Sequence, residues 1–272
     1  MSGVILAVID HPGSALPTLA SARRLASLMG GARINVLAIR VPPASAIMLT
    51  EEILTSHQAA QITDDEDARI AELRRIFDGW AATVQGPGVA AEWTDVEGLA
   101  DTVIGDWGRR ADFLVLERPT ERDGVADRLK LQAALFDTDR PVLVVPPGPV
   151  ALFGECVAIA WRDDRRTVRS VLAALRVLSQ AREVHVLAGQ RPGAPEPALP
   201  QILSEHGIAA TRHVLPVGKG VFGEALLKKA HALGADLLVM GAYTHNFWRE
   251  LLLGGVTSHM MAHADLPVLM RH

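Results

Sequence analysis

The chain is poor in the residues that staple small secreted folds or grip nucleic acids. A single cysteine, Cys156, rules out an intramolecular disulfide in these 272 residues and fits a reducing compartment. It opens an apolar run and reads as a buried small hydrophobe. Aromatic residues make up only 4%, too few to stack a run of bases, and a formal net charge of −4 offers no basic footprint for a phosphate backbone. No apolar stretch has the length of a membrane span, and Met1-Ser2-Gly3 lacks the basic start of a secretory signal. Neither nucleic acid nor membrane is therefore expected as a partner, and a cytoplasmic location is. What remains, 49% hydrophobic and 21% charged, is the composition of a globular protein, long enough for two domains with their own cores.

What the sequence does contain is a repeat. Ala111-Asp112-Phe113-Leu114-Val115-Leu116 returns as Ala235-Asp236-Leu237-Leu238-Val239-Met240. Arg140-Pro141-Val142-Leu143-Val144-Val145 returns as Leu266-Pro267-Val268-Leu269-Met270-Arg271. A period above a hundred residues is too long for a solenoid and indicates two copies of one domain, 1–147 and 152–272, joined by Pro146-Pro147-Gly148-Pro149.

Within each copy, strand-length apolar runs alternate with helical periodicity. In the first, strands are expected over 4–9, 34–39, 89–94, 113–116 and 141–145. Helices are expected from Leu16 to the Gly30-Gly31 stop and over 51–84, 99–110 and 126–136. In the second, strands are expected over 157–161, 184–188, 210–215, 237–240 and 267–270. Helices are expected over 165–178, capped by Asp163 or Asp164, in a short segment ending at His206-Gly207, and over 222–233 and 256–263. This alternation predicts an α/β fold: two tandem doubly wound parallel five-stranded sheets, Rossmann-like, packed as a pseudo-dimer. Ligands in such sheets bind beyond the carboxyl ends of the strands, where the strand order reverses.

After the fourth strand of the second copy comes Gly241-Ala242-Tyr243-Thr244, nine residues, then Gly254-Gly255-Val256-Thr257 opening a helix. With the Ala-Asp and Pro-Val-Leu landmarks, this resembles the nucleotide loop of the universal stress protein family: glycine, two residues, glycine, nine residues, glycine, then serine or threonine. The resemblance covers nearly the whole chain as a tandem pair. It implies five-stranded doubly wound domains that pair through their last strands, of which some members bind ATP and others do not. The physical logic stands apart from the family. Glycine lets the backbone approach phosphate oxygens, and a helix start at Gly255-Val256 presents amides and a positive dipole end to an anion.

The departures from the pattern argue against ATP binding. Thr244 holds the second glycine position, where positive φ would cost a β-branched residue about 1–2 kcal/mol. Gly255 replaces the serine or threonine, losing a hydroxyl but keeping the amide. Relatives that bind ATP end their first strand with aspartate; here the second copy has Arg162 and the first keeps Asp10. The first copy has Glu117-Arg118-Pro119 where the glycine loop should begin. Gly241, Ala242, Thr244, Gly254, Gly255, Val256 and Arg162 are thus the candidate nucleotide or anion site. Arg162 either faces an anion at the Gly255 helix start or pairs with Asp163 or Asp164.

Other constellations have plainer explanations. His259 and His263 are spaced for a metal on a helix, but no third ligand accompanies them, so no metal site is expected. Gly218, Gly220 and Gly223 imitate a dinucleotide fingerprint in the wrong part of the fold and read as a turn into a helix. Met260, Met261 and Trp248 read as packing. Asp10 and Glu117 could form a carboxylate pair at the first crevice, with Arg118 relieving their repulsion; no nucleophile accompanies them. The chain is therefore expected to be a non-enzymatic, stress-responsive regulator or binding module, its domains pairing within the chain and whole chains forming homodimers. The alternative is an ATP-binding protein with slow hydrolysis or adenylating activity in the second domain. Neither a His-x-Gly-His nor a Ser-Gly-Gly-x-Asp adenylation signature is present.

Overall fold

The computed structural model describes residues 3–42, 56–84, 89–120, 124–218, 221–242 and 255–272. The chain divides into two compact units, Met1–Glu117 with Glu121–Thr138, and Arg118–Thr120 with Asp139–His272.

The first unit runs β1 (Gly3–Val8), α1 (Pro12–Leu28), β2 (Ala32–Arg40), α2 (Ser56–Val84), β3 (Val89–Glu97), α3 (Ala100–Gly108), β4 (Phe113–Glu117) and α4 (Val125–Phe136). Its strands are parallel in the order β3-β2-β1-β4, so the winding reverses at β1. Strand β1 is apolar throughout because helices cover both faces of such a sheet. Helix α1 buries Ala15, Leu19, Ala22, Leu25 and Ala26 at helical spacing. It begins at Pro12, four residues before Leu16, because proline at the first helical position has its φ preset and needs no N–H partner. Gly30 and Gly31, at φ +78° and +112°, end it as expected, taking hydrogen bonds to Ser27 and Ala26 carbonyls. Residues 51–55 of the expected second helix lie outside the described residues.

The second unit contains β5 (Val142–Val145), β6 (Cys156–Trp161), α5 (Arg165–Leu178), β7 (Glu183–Gln190), α6 (Gln201–Glu205), β8 (Thr211–Pro216), α7 (Phe222–Ala232), β9 (Leu237–Gly241), α8 (Val256–His263) and β10 (Val268–Arg271). Strands β8, β7, β6, β9 and β10 are parallel neighbours in that order, and the winding reverses at β6. Strand β5 comes from the first repeat of the sequence, yet it belongs to the second unit and pairs antiparallel with β10, Leu143 opposite Leu269. Pro141 and Pro267 stand just outside their strands, since neither has an N–H to give to a ladder.

The repeated Ala-Asp step has a common role. The Asp112 N–H donates to the Val4 carbonyl (2.8 Å) while its carboxylate accepts from the Val4 N–H (2.8 Å). The Asp236 N–H donates to the Cys156 carbonyl (2.8 Å), and its carboxylate accepts from the amides of Gly154, Glu155 and Cys156. In each unit the aspartate thus sets the register between the fourth strand of the repeat and the first.

Candidate functional site

At the reversal point of the second unit lies a cavity of about 1040 Å³. Its floor is apolar, formed by Ala160, Ala188 and Met240 near the carboxyl ends of β6, β7 and β9, by Val217 after β8, and by Phe222 and Leu226 of α7. Gly189 belongs to the wall because a Cβ there would stand 2.9 Å from both Phe222 and Val217. Around the floor stand Arg162, Asp163, Arg166 and Arg191, and the start of α8 closes one side.

Of the residues expected from sequence, Arg162, Gly255 and Val256 line this cavity. Gly255 is the N-cap of α8 at φ −69° and offers no side-chain cap. A Cβ added there would meet nothing within 4 Å, so the family's hydroxyl has room but is absent. The first helical bond of α8 runs from the His259 N–H to the Gly255 carbonyl (3.0 Å), so the amides before it begin a positive dipole end. Thr257 also faces the cavity, and its buried hydroxyl has no hydrogen-bond partner among the described residues.

Gly241 and Ala242 follow Met240 at the end of β9 and are not among the described lining residues. A Cβ on Gly241 would lie 3.2 Å from the Thr167 amide nitrogen, so this glycine permits close packing of β9 against α5. Ala242 is fully buried and its N–H donates to the Arg271 carbonyl (2.9 Å), extending the β9–β10 ladder. Thr244, Gly254 and Trp248 lie outside the described residues, as does Gly220.

Arg162 donates through Nε to Asp164 (2.5 Å), and Asp164 caps α5 by accepting from the Thr167 N–H (2.9 Å). Burial works against ionising Asp164, but the Thr167 amide and Arg162 outweigh it and hold the carboxyl below its ordinary pKa. The pairing expected for Arg162 is therefore with Asp164, at the cavity rim. Arg166 and Arg191 were not anticipated from sequence. Neither has an ion pair or side-chain hydrogen bond among the described residues, and Arg166 also lines an adjoining hollow of about 480 Å³ with Arg162, Arg165 and Arg169. Their positions carried a signal, since Arg166 lies in the first turn of the helix after β6 and Arg191 directly follows β7.

In the first unit the corresponding strand ends are occupied by the protein's own charges. The Arg69 guanidinium donates to the Asp10 and Ile39 carbonyls (2.6 and 2.7 Å), to the Asp10 carboxylate (3.1 Å) and to Glu66 (2.7 Å). Buried Lys130 reaches Asp10 and, at 3.0 Å, Asp127. From sequence, Asp10 could lie near Glu117, with Arg118 relieving their repulsion. The structure sets Asp10 beside Asp127 with Lys130 and Arg69 as the cations, because α2 and α4 bring these residues over the end of β1. Arg118 donates instead to the Met260 and Met261 carbonyls (3.4 and 3.0 Å).

His11 joins this network 3.4 Å from Asp127. The hydrogen bond to Asp127 raises its pKa, with burial opposing and Asp10 assisting. Burial opposes ionisation of Asp127, but His11 and Lys130 outweigh it and its pKa is lowered. The raised His11 pKa means stabilisation present below about 6.5 and lost as pH rises through the folded value. The lowered Asp127 pKa means stabilisation present above about 4 and lost on acidification. Thermal melts of the natural chain should therefore fall more steeply from roughly pH 6 to 8 than those of His11→Gln. Equal slopes would remove His11 from the account.

His259 and His263 rings lie 4.5 Å apart, and His259 packs where a Cβ on Gly223 of α7 would stand, 2.6 Å from its own Cβ. Met260 and Met261 are buried. No described helix is long and apolar enough to cross a membrane.

A doubly wound α/β domain with an arginine-rimmed crevice at its reversal point is the class these observations define. Residues 163–272 match the model of the universal stress protein family. The whole chain is similar in fold to the crystal structure of a universal stress protein from Archaeoglobus fulgidus DSM 4304, at 16% identity and a TM-score of 0.72, covering 100% of this chain and 96% of that one. It is also similar to a functionally unknown protein from Pseudomonas aeruginosa PAO1, at 15% identity and a TM-score of 0.59, covering 99% and 92%. A third likeness is to the cytoplasmic domain of a prokaryotic cation chloride cotransporter, at 12% identity and a TM-score of 0.55, covering 99% and 94%. No curated protein matches the chain.

Proposed function

We propose that the chain is a non-enzymatic, stress-responsive binding module whose second half holds a small anionic ligand with an apolar portion. The observation that carries this is the cavity at the end of β6, apolar at its floor and rimmed by Arg162, Arg166 and Arg191 beside the start of α8. A guanidinium suits phosphate or carboxylate better than any other side chain, and a helix start adds to the attraction. The described lining includes no histidine, cysteine or lysine, which leaves Asp163 as its one candidate proton acceptor by charge. Arg162 stands where ATP-binding relatives carry aspartate, which disfavours specific nucleotide recognition.

Calorimetric titration of the full chain with Mg-ATP and, separately, with pyrophosphate tests this. Both should bind weakly and more weakly in added salt, with about tenfold or greater loss in Arg166→Ala. ATP should release no phosphate. Preference for Mg-ATP over pyrophosphate beyond about a hundredfold (near 2.7 kcal/mol), or phosphate release that depends on Arg166, would install the nucleotide-processing alternative.

A further inference from the structure

We infer that Cys156, Glu183 and His185 form a binding site for a divalent transition metal of the zinc class, with His213 as the residue that orients His185. The site lies at the amino-terminal edge of the second unit's sheet, the opposite end from the anion crevice, and is independent of it. Cys156 and Glu183 begin neighbouring parallel strands and stand opposite each other in register. His185 follows Glu183 by two residues and so shares its face. One ligand atom from each residue lies within 4.8 Å of the other two.

The imidazole carries the argument. His185 is buried at 8% exposure, yet its Nε2 makes no hydrogen bond among the described residues. Glu183 Oε2 lies 3.5 Å from that nitrogen. This is long for a charge-assisted hydrogen bond, but it is close to the separation of two ligands on a tetrahedral zinc ion, about 3.5 Å for bonds of roughly 2.1 Å. On its other side, His185 Nδ1 is 3.2 Å from His213 Nε2. A proton held on Nδ1 and donated to His213 leaves the lone pair on Nε2, the nitrogen 3.5 Å from Glu183, the tautomer a metal ligand requires. Arg182 holds the other Glu183 oxygen, Oε1, at 3.2 Å, leaving Oε2 to face the histidine.

The donor set suits the charge. A thiolate, a carboxylate and a neutral imidazole exactly balance a doubly charged cation, and sulfur with nitrogen selects zinc, cobalt or copper over magnesium or calcium. Glu183 is exposed, which leaves a route for entry and for a water as fourth ligand. The ion would clasp β6 to β7 where both strands begin, making stability of this unit depend on metal supply.

The test is titration of the untagged, chelator-treated full chain with Co²⁺ and Zn²⁺. One Co²⁺ per chain should bind with a thiolate-to-cobalt charge-transfer band and the visible bands of tetrahedral cobalt, and Zn²⁺ should displace it. His185→Gln should weaken binding by about a hundredfold or more, and His213→Gln by about tenfold to a hundredfold. His259→Gln should leave it unchanged. In the natural chain, Zn²⁺ should also slow alkylation of Cys156, a readout that needs no variant to fold. Absence of binding, cobalt bands without a thiolate component, or affinity indifferent to His185 would overturn the proposal.

Discussion

Lys130→Ala should destabilise the first unit by about 3–5 kcal/mol, the range for removing one partner from a buried ion pair. Lys130 is only 8% exposed in its side chain and stands between Asp10 and Asp127, themselves mostly buried. Truncating it leaves two carboxylates facing each other with Arg69 and His11 alone to compensate, and it opens a cavity as well. Combining Lys130→Met with Asp10→Asn and Asp127→Asn removes the uncompensated charge and should restore more than half of the loss, since apolar replacement of a whole buried network is often neutral. Denaturant unfolding of the full chain, following its least stable transition, reads both. A loss below about 1 kcal/mol for Lys130→Ala would mean that water screens the cluster as it does a surface pair.

Asp236→Ala is expected to cost the second unit about 2–4 kcal/mol. Its carboxylate accepts from three consecutive amides, Gly154 at 2.7 Å and Glu155 and Cys156 at 3.1 Å. Gly154 takes φ +90°, a left-handed conformation that turns successive amides toward one anion, and buried Phe153 anchors the loop. Hydrogen bonds to a charged acceptor contribute about 1.5–3 kcal/mol each, but water reaches the exposed Glu155 amide in the variant, so the sum is not realised. Asp112→Ala removes only the bond from Val4 and should cost about 1–2 kcal/mol. Asparagine at position 236 should rescue little, because its NH₂ group would face amide donors. Equal losses at 112 and 236, or a full rescue by asparagine, would contradict the amide-cradle account.

The Ala-Asp repeat was legible as a landmark before its role was. Sequence periodicity located the strands and helices within a few residues, because apolar runs of strand length and the stops at Gly30-Gly31 and Gly207 act locally. The error at α1 was also local: Pro12 and Gly13 look like breakers, while proline in a first helical turn initiates. The candidate site was only partly legible. Position after β6 pointed to Arg162, and helix-start logic pointed to Gly255 and Val256. The same spacing also nominated Gly241 and Ala242, which serve packing and the β-ladder, because a glycine needed for close approach looks alike in sequence whether its neighbour is a phosphate or a helix.

The sequence by itself determined the repeat, the alternation of strands and helices, and hence a doubly wound α/β fold with ligand chemistry at strand ends. These follow from covalent neighbours and from periodicities of two and 3.6 residues. Only the tertiary structure decided which side chains gather at each strand end. Arg69 reaches β1 from α2, and Lys130 reaches it from α4, more than a hundred residues beyond Asp10. In the second unit Arg166, Arg191 and Thr257 converge from separate segments on an apolar floor. It also placed Cys156, Glu183, His185 and His213 on one face of three strands. The reason is physical: a side chain's electrostatic partners are set by strand register and helix packing across the fold, which no local pattern encodes.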